Sequence, residues 1–278
     1  MTWSDTAPRR PDIADRKIKD LSAGRVRRAM RTMRRLGLTG TVALAREHGL
    51  QESLHFAARN IRHIIAHRNA LRWDRAYGVD TAGSIQIASL SVVGENRKFG
   101  NECVCTSPKS FDFMMQNLPH DLHDHTFVDF GAGKSRTLLL ASRYGFGKIV
   151  GVEFARELAD CSRKNIARFS SPWQKSRDFK IIHADATEFA LPRSPLAIFF
   201  YNPFTREVFD IVLNNIVASL NAATRPCYII YGSSSHDAID WAAAAILASG
   251  RFAAIPVKPM PTFFDAVRTI RYAVFRAT

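Results

Sequence analysis

Several large classes of protein are excluded by what this 278-residue chain does not contain. No apolar run approaches the ~18 to 20 residues that a membrane-spanning helix needs. The opening stretch MTWSDTAPRR has no apolar core of the secretory kind, and Asp5, Asp12, Asp15 and Asp20 run against the acid-poor composition of an organelle transit peptide. Cysteine is scarce: Cys103, Cys105, Cys161 and Cys227 are scattered, and no two stand at C-x-x-C spacing. That argues against a zinc knuckle and a thioredoxin-like site, and it fits reduced thiols in a cytoplasmic protein. There is no G-x-S-x-G elbow on which to build a Ser-His-Asp hydrolase. Histidines are present as HDLHDH (His120–His125) and as the helical pair His63 and His67. The first reads as a solvated loop and the second as the flank of a packed face, so no metal site is expected.

Negative charge is short in one place. Residues 1–75 carry 17 Lys and Arg against 7 Asp and Glu, a surplus of 10, and the rest of the chain adds only 4 to reach +14. Within residues 9–35 there are 11 basic residues, 3 acidic ones and no aromatic residue, so base stacking is not indicated, and the stretch reads either as a surface that docks phosphates or as a solvated helical face. The basic residues lie on helical periodicities. Val26, Ala29, Met30 and Met33 recur at helical spacing, and a second helical stretch is expected over about Val42–Trp73, with Gly49 as a possible break.

What is abundant is apolar: 46% of residues are hydrophobic and 19 are Phe, enough for a sizeable core. Residues 77–110 are rich in turn glycines (Gly78, Gly83, Gly94, Gly100) with short alternating runs such as SIQIASLSV, which suggests a small extended region. From Phe127 onward, strand-like runs (FVDF, KIVGVEF, FKIIHAD, PLAIFFYN, CYIIYG) alternate with amphipathic helical segments. This pattern predicts a doubly wound α/β domain of the Rossmann-like type, mostly parallel and seven-stranded. The last two strands, near Phe252–Val257 and Thr269–Phe275, have no long helix between them and predict an antiparallel edge. The expected organisation is a basic, mainly helical region over 1–75 and an α/β domain over 76–278 with a lead-in segment, 76–125.

The loop after the first of these strands, VDFGAGKSR, admits three ligands. Its Gly133-Lys134-Ser135 is the end of a P-loop, but the first glycine of that motif would fall at Val128, and Asp129 would repel a triphosphate. A dinucleotide loop fits Gly131 and Gly133, with Glu153 as the ribose acid, but has Arg136 at the third glycine position. S-adenosylmethionine carries a sulfonium and an ammonium and no phosphate. A carboxylate at Asp129 suits it, Gly131 and Gly133 allow close approach, Glu153 can accept both ribose hydroxyls, and Asp185 can accept from the adenine amino group. Each acid also has an ordinary structural role open to it: a helix cap for Asp129, a surface charge for Glu153, a turn residue for Asp185.

The run VDFGAGKSR…GVEF…HADATEF…YNPF resembles class I S-adenosylmethionine-dependent methyltransferases over about residues 104–278. Within that superfamily it is similar to bacterial members with D-x-G-x-G-K-G-R, G-V-E-F and N-P-F motifs, and Tyr77–Gly83 is similar to their lead-in. The resemblance implies cofactor binding by Thr106, Asp129, Gly131, Ala132, Gly133, Arg136, Glu153, Phe154, Asp185 and Ala186. It departs at Ser135, where the group usually has Gly; retained but weaker binding is the expectation there.

Amino-directed members of the superfamily carry Asn/Asp-Pro-Pro-Tyr/Phe after the fourth strand. This chain has Tyr201-Asn202-Pro203-Phe204, without the second proline. The resemblance makes Asn202, Pro203 and Phe204 candidate catalytic residues acting on an amine, with a protein lysine the leading substrate. Helix-start chemistry, with Asn202 as N-cap and Pro203 at N1, accounts for the same residues equally well. Thr106 stands where several seven-strand lysine methyltransferases have a Pro-Thr/Ser element over the cofactor, or else is an N-cap residue. Methylation of RNA or another nucleic acid, and a nucleic-acid-binding protein with a vestigial cofactor site, are the alternatives that the basic N-terminal region supports.

Overall fold

The computed structural model describes residues 50–86, 89–261 and 270–278. The helical periodicity of residues 26–33 lies outside the described residues, as do the first residues of the second helical stretch. The described part of that stretch is α1, Leu50–Tyr77. The expected extended region contracts to a two-stranded antiparallel pair, β1 (Ser84–Ile85) with β2 (Cys103–Val104). Residues 89–102 between them form a strap that includes a 3-10 turn, Asn96–Phe99. Helix α2 (Pro108–Met115) follows, with proline in its first turn, where a missing N–H costs nothing.

The α/β pattern then runs β3 (Thr126–Phe130), α3 (Arg136–Ala141), β4 (Lys148–Glu153), α4 (Arg156–Arg168), β5 (Phe179–His183), β6 (Leu196–Tyr201), α5 (Arg206–Ala222), β7 (Cys227–Ser233), α6 (His236–Ala248), β8 (Phe252–Ile255) and β9 (Arg271–Ala277). Strands β3 to β9 form a seven-stranded sheet in the order β5-β4-β3-β6-β7-β9-β8. The pairs among β3 to β7 are parallel, and β9 pairs antiparallel with both β7 and β8. The antiparallel edge is as expected from sequence. Its order is the addition: the last strand inserts between β7 and β8, which a linear reading of the strands does not reveal.

The sheet is covered on both faces, and its central strands are apolar nearly throughout, as buried parallel strands require. Val128, Phe130, Ile198 and Phe200 face α5 and α6, where Phe209, Val212, Ile216 and Ile239 complete one core. Phe127, Ile149, Ala197 and Phe199 face the other way, against Phe111, Met114, Leu138 and Ala141. Helix α3 is buried along its whole length, its six residues spelling RTLLLA. It lies so close to β4 that a Cβ at Gly151 would come within 2.6 Å of Leu138 Cδ1. Asp129 is therefore the one charged residue in an otherwise apolar central run, TFVDF, on the face toward α3.

The order of strands reverses between β3 and β6. In open α/β sheets a crevice forms there, outside the carboxyl ends of the strands, and ligands bind in it. Asp129, Glu153, Asp185 and the Tyr201–Phe204 segment all lie at strand ends along this edge.

Candidate active site

The crevice holds two adjoining cavities, with about 620 Å³ and about 380 Å³ of empty space. Gly131, Phe154 and Pro203 line both. The larger is walled by Cys103–Thr106 from the strap side, by Asp129 and Gly131–Lys134 from the loop after β3, and by Glu153 and Tyr201. The smaller is walled by Asn96, Val152, Asp185, Ala186 and Phe204. The structure thus brings Thr106, Asp129, Gly131, Ala132, Gly133, Arg136, Glu153 and Phe154 to the first cavity, and Asp185 and Ala186 to the second.

The loop after β3 needs its glycines. Gly131 and Gly133 have φ of 78° and 55°. A Cβ on Gly131 would approach Pro203 Cβ to 2.6 Å, and one on Gly133 would approach Cys103 Sγ to 2.6 Å. The backbone can therefore reach the crevice only with hydrogen at these positions. Ser135 explains the glycine usual in the resembling group: it is itself left-handed, with φ 70° and ψ 14°, and fully buried. Its Oγ donates to the Lys134 carbonyl at 2.6 Å, a local bond that offsets part of the strain. Ser135→Gly should relieve a left-handed serine at a cost of one weak hydrogen bond. Thermal melting should rise by roughly 2 °C; a drop in Tm would show that Ser135 is unstrained.

Asp129 is 3% exposed. Burial, and then the charge of Glu153, push its pKa well above the ordinary carboxylate value, opposed by a hydrogen bond from the Thr137 side chain. Capping does not account for it, since Ser135 is the N-cap of α3. Thr106, buried, lies with its Oγ1 3.5 Å from that of Thr137, so it abuts the same network; the N-cap of α2 is Ser107. Glu153, also 3% exposed, is no surface charge. Its two carboxylate oxygens accept from Gly133 N at 2.8 Å and Ala155 N at 2.9 Å, which fixes the group while leaving further lone pairs toward the cavity. Burial raises its pKa to about 7, against the downward pull of those backbone donors. Asp185 does serve a turn: its Oδ1 accepts from the backbone and hydroxyl of Thr187, and its Oδ2 accepts from Asn96 Nδ2 at 2.8 Å. It lines the smaller cavity at the same time.

These shifts set a pH dependence with opposite signs for stability and binding. A carboxyl whose folded pKa exceeds its ordinary value stabilises the fold below that ordinary value, and the contribution is lost as pH rises through the folded one. For Glu153 the window runs from 4.5 to about 7. A cationic ligand needs the carboxylate, so its binding should release protons below about pH 7, and affinity should rise with pH across that window. Calorimetry in buffers of differing ionisation enthalpy measures this proton release directly; proton uptake would contradict it.

The two cations of the loop stand in the wall of the larger cavity, and both are paired with acids outside it. Lys134 Nζ, buried, contacts Asp80 Oδ1 at 3.0 Å and donates to the Ala82 carbonyl. Arg136, expected beside the cofactor, does line the larger cavity, but its guanidinium is committed elsewhere. It pairs with Asp74 at 2.8 Å, donates to Thr81 Oγ1, and lies 4.2 Å over the Trp73 ring. Arg136 therefore fastens α1 to the domain, because α1 ends beside α3 and presents Asp74 and Trp73 to it.

Of the two readings of Asn202 and Pro203, helix-start chemistry does not hold: α5 begins at Arg206 with Thr205 as its N-cap. Asn202 is left-handed, φ 46°, a conformation asparagine tolerates better than most residues. Its Oδ1 accepts from the Tyr231 hydroxyl at 3.3 Å. The backbone carbonyl of Pro203 accepts from Asn101 N at 2.9 Å, and Asn101 Nδ2 donates to the Asn202 carbonyl at 3.0 Å. Phe204 is 7% exposed and packs edge-on to Phe200, so it belongs to the core as well as to the wall of the smaller cavity.

Sequence reasoning missed the strap's part in the site. Besides Asn96 and Asn101, Val93 N donates to the Phe154 carbonyl, and the Phe99 carbonyl accepts from Thr205 N. Residues 93–101 thus bridge the loops that follow β4, β5 and β6. The density of turn glycines in this segment was the available signal. Of HDLHDH, His123 pairs with Asp121 on the surface, while His125 is buried with Nδ1 on Asp124. Among the described residues no group of His, Cys, Asp and Glu is arranged to hold a metal ion, and no helix is long and apolar enough to cross a membrane.

A seven-stranded sheet with one reversed strand, acids at consecutive strand ends and a glycine loop at the switch point defines a doubly wound, Rossmann-like α/β fold. No family model matches the chain, and no curated protein does. Solved structures to which the chain is similar include the precorrin-6y C5,15-methyltransferase of Geobacter metallireducens GS-15, at 14% identity and a TM-score of 0.47, covering 70% of this chain and 97% of that one. The glycopeptide N-methyltransferase MtfA in complex with S-adenosylmethionine is similar at 12% identity and a TM-score of 0.45, over 62% of this chain and 93% of that one. Its complex with S-adenosylhomocysteine gives 13% and 0.46 over 62% and 89%.

Proposed function

We propose that the chain transfers a methyl group from S-adenosylmethionine to a nucleophile presented at the Tyr201–Phe204 side of the crevice. One observation carries this reading. Asp129, Glu153 and Asp185 are buried at the ends of three neighbouring strands around one continuous crevice, while the nearby cations Lys134 and Arg136 are neutralised by other acids. Such a crevice favours a ligand with positive charge and no phosphate. Glu153 suits the ribose hydroxyls, the smaller cavity beside Asp185 suits adenine, and the larger one beside Asp129 suits the methionine part. Methyl transfer is an in-line displacement in which the cofactor supplies the leaving group. The protein's work is to orient the two reactants and exclude water.

A protein amine, with lysine foremost, is the proposed nucleophile. Support comes from the Asn202-Pro203-Phe204 sequence and from Asn202 Oδ1, which keeps a lone pair after accepting from Tyr231. The Pro203 carbonyl, engaged by Asn101, is a weaker acceptor for an amine than its place in the motif implies. Methylation of RNA is the second reading, supported by the surplus of 10 positive charges in residues 1–75. Transfer of a tritiated methyl group to cell lysate, divided between protease and nuclease treatment, tests both. Label released by protease is expected. Label lost to nuclease alone would exclude the amine reading, and a wild type that binds no S-adenosylmethionine in calorimetry would leave a nucleic-acid-binding protein with a vestigial site.

A further inference from the structure

We infer that Asp80, which does not line the crevice, is a positioning residue that sets the charge of ligand the crevice accepts. It does so by holding the Lys134 ammonium out of it. The inference rests on the reading that the crevice holds S-adenosylmethionine.

Lys134 is part of the wall of the larger cavity, two residues from Ala132 and beside Gly133, whose amide is bound to Glu153. Its side chain is only 2% exposed, so its ammonium cannot be screened by bulk water and must find fixed partners. Those partners lie on the lead-in segment: Asp80 Oδ1 at 3.0 Å and the Ala82 carbonyl. Asp80 is itself held in register. Its backbone N–H donates to Asn165 Oδ1 at 2.8 Å, while Asn165 Nδ2 donates to the carbonyls of Asp80 and Lys134, each at 2.9 Å. Asn165, buried on α4, therefore ties together the two chain segments whose side chains pair. A lysine in a glycine loop, followed by serine, is the arrangement that elsewhere reaches toward phosphate. Here a carboxylate on a neighbouring segment captures it and the cavity keeps the sign of Asp129 and Glu153.

The charge argument separates two ligands that differ by one methyl group. S-adenosylmethionine carries a net positive charge through its sulfonium, and S-adenosylhomocysteine carries none. With the Lys134 charge cancelled, the crevice favours the cation. With it uncancelled, the cation loses affinity and the neutral thioether is nearly unaffected. A loosened loop would weaken both alike.

The test is calorimetric titration of the full chain with each ligand, for wild type, Asp80→Asn, Lys134→Met and the double variant Asp80→Asn/Lys134→Met. The asparagine keeps the size of Asp80 and can still accept from Lys134. Asp80→Asn is expected to lower the ratio of S-adenosylmethionine to S-adenosylhomocysteine affinity about tenfold, and the added Lys134→Met change is expected to restore it. Lys134→Met alone leaves Asp80 uncancelled and is expected to raise the ratio, a readout that stands even if Asp80→Asn does not fold. Equal loss for both ligands in Asp80→Asn, no recovery in the double variant, or a lower ratio in Lys134→Met would each overturn the inference and leave the proposed activity standing. A wild type that binds neither ligand would instead overturn the activity on which the inference depends.

Discussion

Asp129→Asn is expected to reduce affinity for S-adenosylmethionine by about a hundredfold while leaving Tm unchanged or slightly raised. Both halves follow from one placement. The carboxyl ends a central strand, 3% exposed, and its neighbours are another carboxyl and a threonine rather than a cation. Folding therefore buries a carboxyl that is costly to ionise, and the amide variant keeps the volume and the hydrogen bond with Thr137 without that cost. Binding is the reverse case, because the ammonium of the ligand is the missing counter-charge. Calorimetry with the ligand and a melting curve without it, taken on the same sample, measure the two. A variant that binds as wild type does would remove the cofactor assignment of this loop. One that loses Tm by several degrees would show that Asp129 is structural.

The second large effect is on stability. Asp74→Ala should cost about 3–5 kcal/mol and lower Tm by about 10 °C. Asp74 and Arg136 are 5% and 3% exposed. The Asp74 carboxylate accepts from the backbone N–H groups of Thr81 and Ala82 and from Thr81 Oγ1, besides pairing with Arg136. Removing it strands a buried guanidinium and two backbone donors at once. Asp74→Ala/Arg136→Met should recover much of the loss, since most of it is an uncompensated charge rather than a missing attraction. Denaturant unfolding of the two variants checks the difference; equal destabilisation would mean that the backbone donors dominate.

How far the site was legible in sequence depends on whether its signal is local. Asp129, Glu153 and the glycines between them sit on strongly periodic segments, and although each acid has an ordinary structural role open to it, together they suit one ligand. Their places at strand ends could be read directly. After Thr126 the run FVDF is apolar except for one acid, which is what a buried parallel strand with a functional end looks like. What could not be read were partnerships across distance. Lys134 meets an acid 54 residues earlier, and Asn101 meets a carbonyl 102 residues later, at Pro203. No pattern of spacing encodes such contacts. For the same reason the sequence does not show that Arg136, which lines the larger cavity, gives its guanidinium to α1, or that α5 is capped by Thr205 rather than by Asn202. The insertion of β9 between β7 and β8 belongs with these, because pairing partners at a sheet edge are set by tertiary packing rather than by strand order.

The glycines of the crevice carry a consequence for how such a chain can be recombined. Gly133 makes room for Cys103, Gly131 for Pro203, and Gly94 for Asp185, with the would-be Cβ only 2.6 Å from each partner. Every one of these pairs joins two segments far apart in sequence. A chimera that took the strap from one relative and the strand-end loops from another would meet a collision wherever a side chain stood in for glycine, and a void wherever the partner was smaller. Exchange of segments within residues 94–203 should therefore be tolerated best where both members of a pair move together.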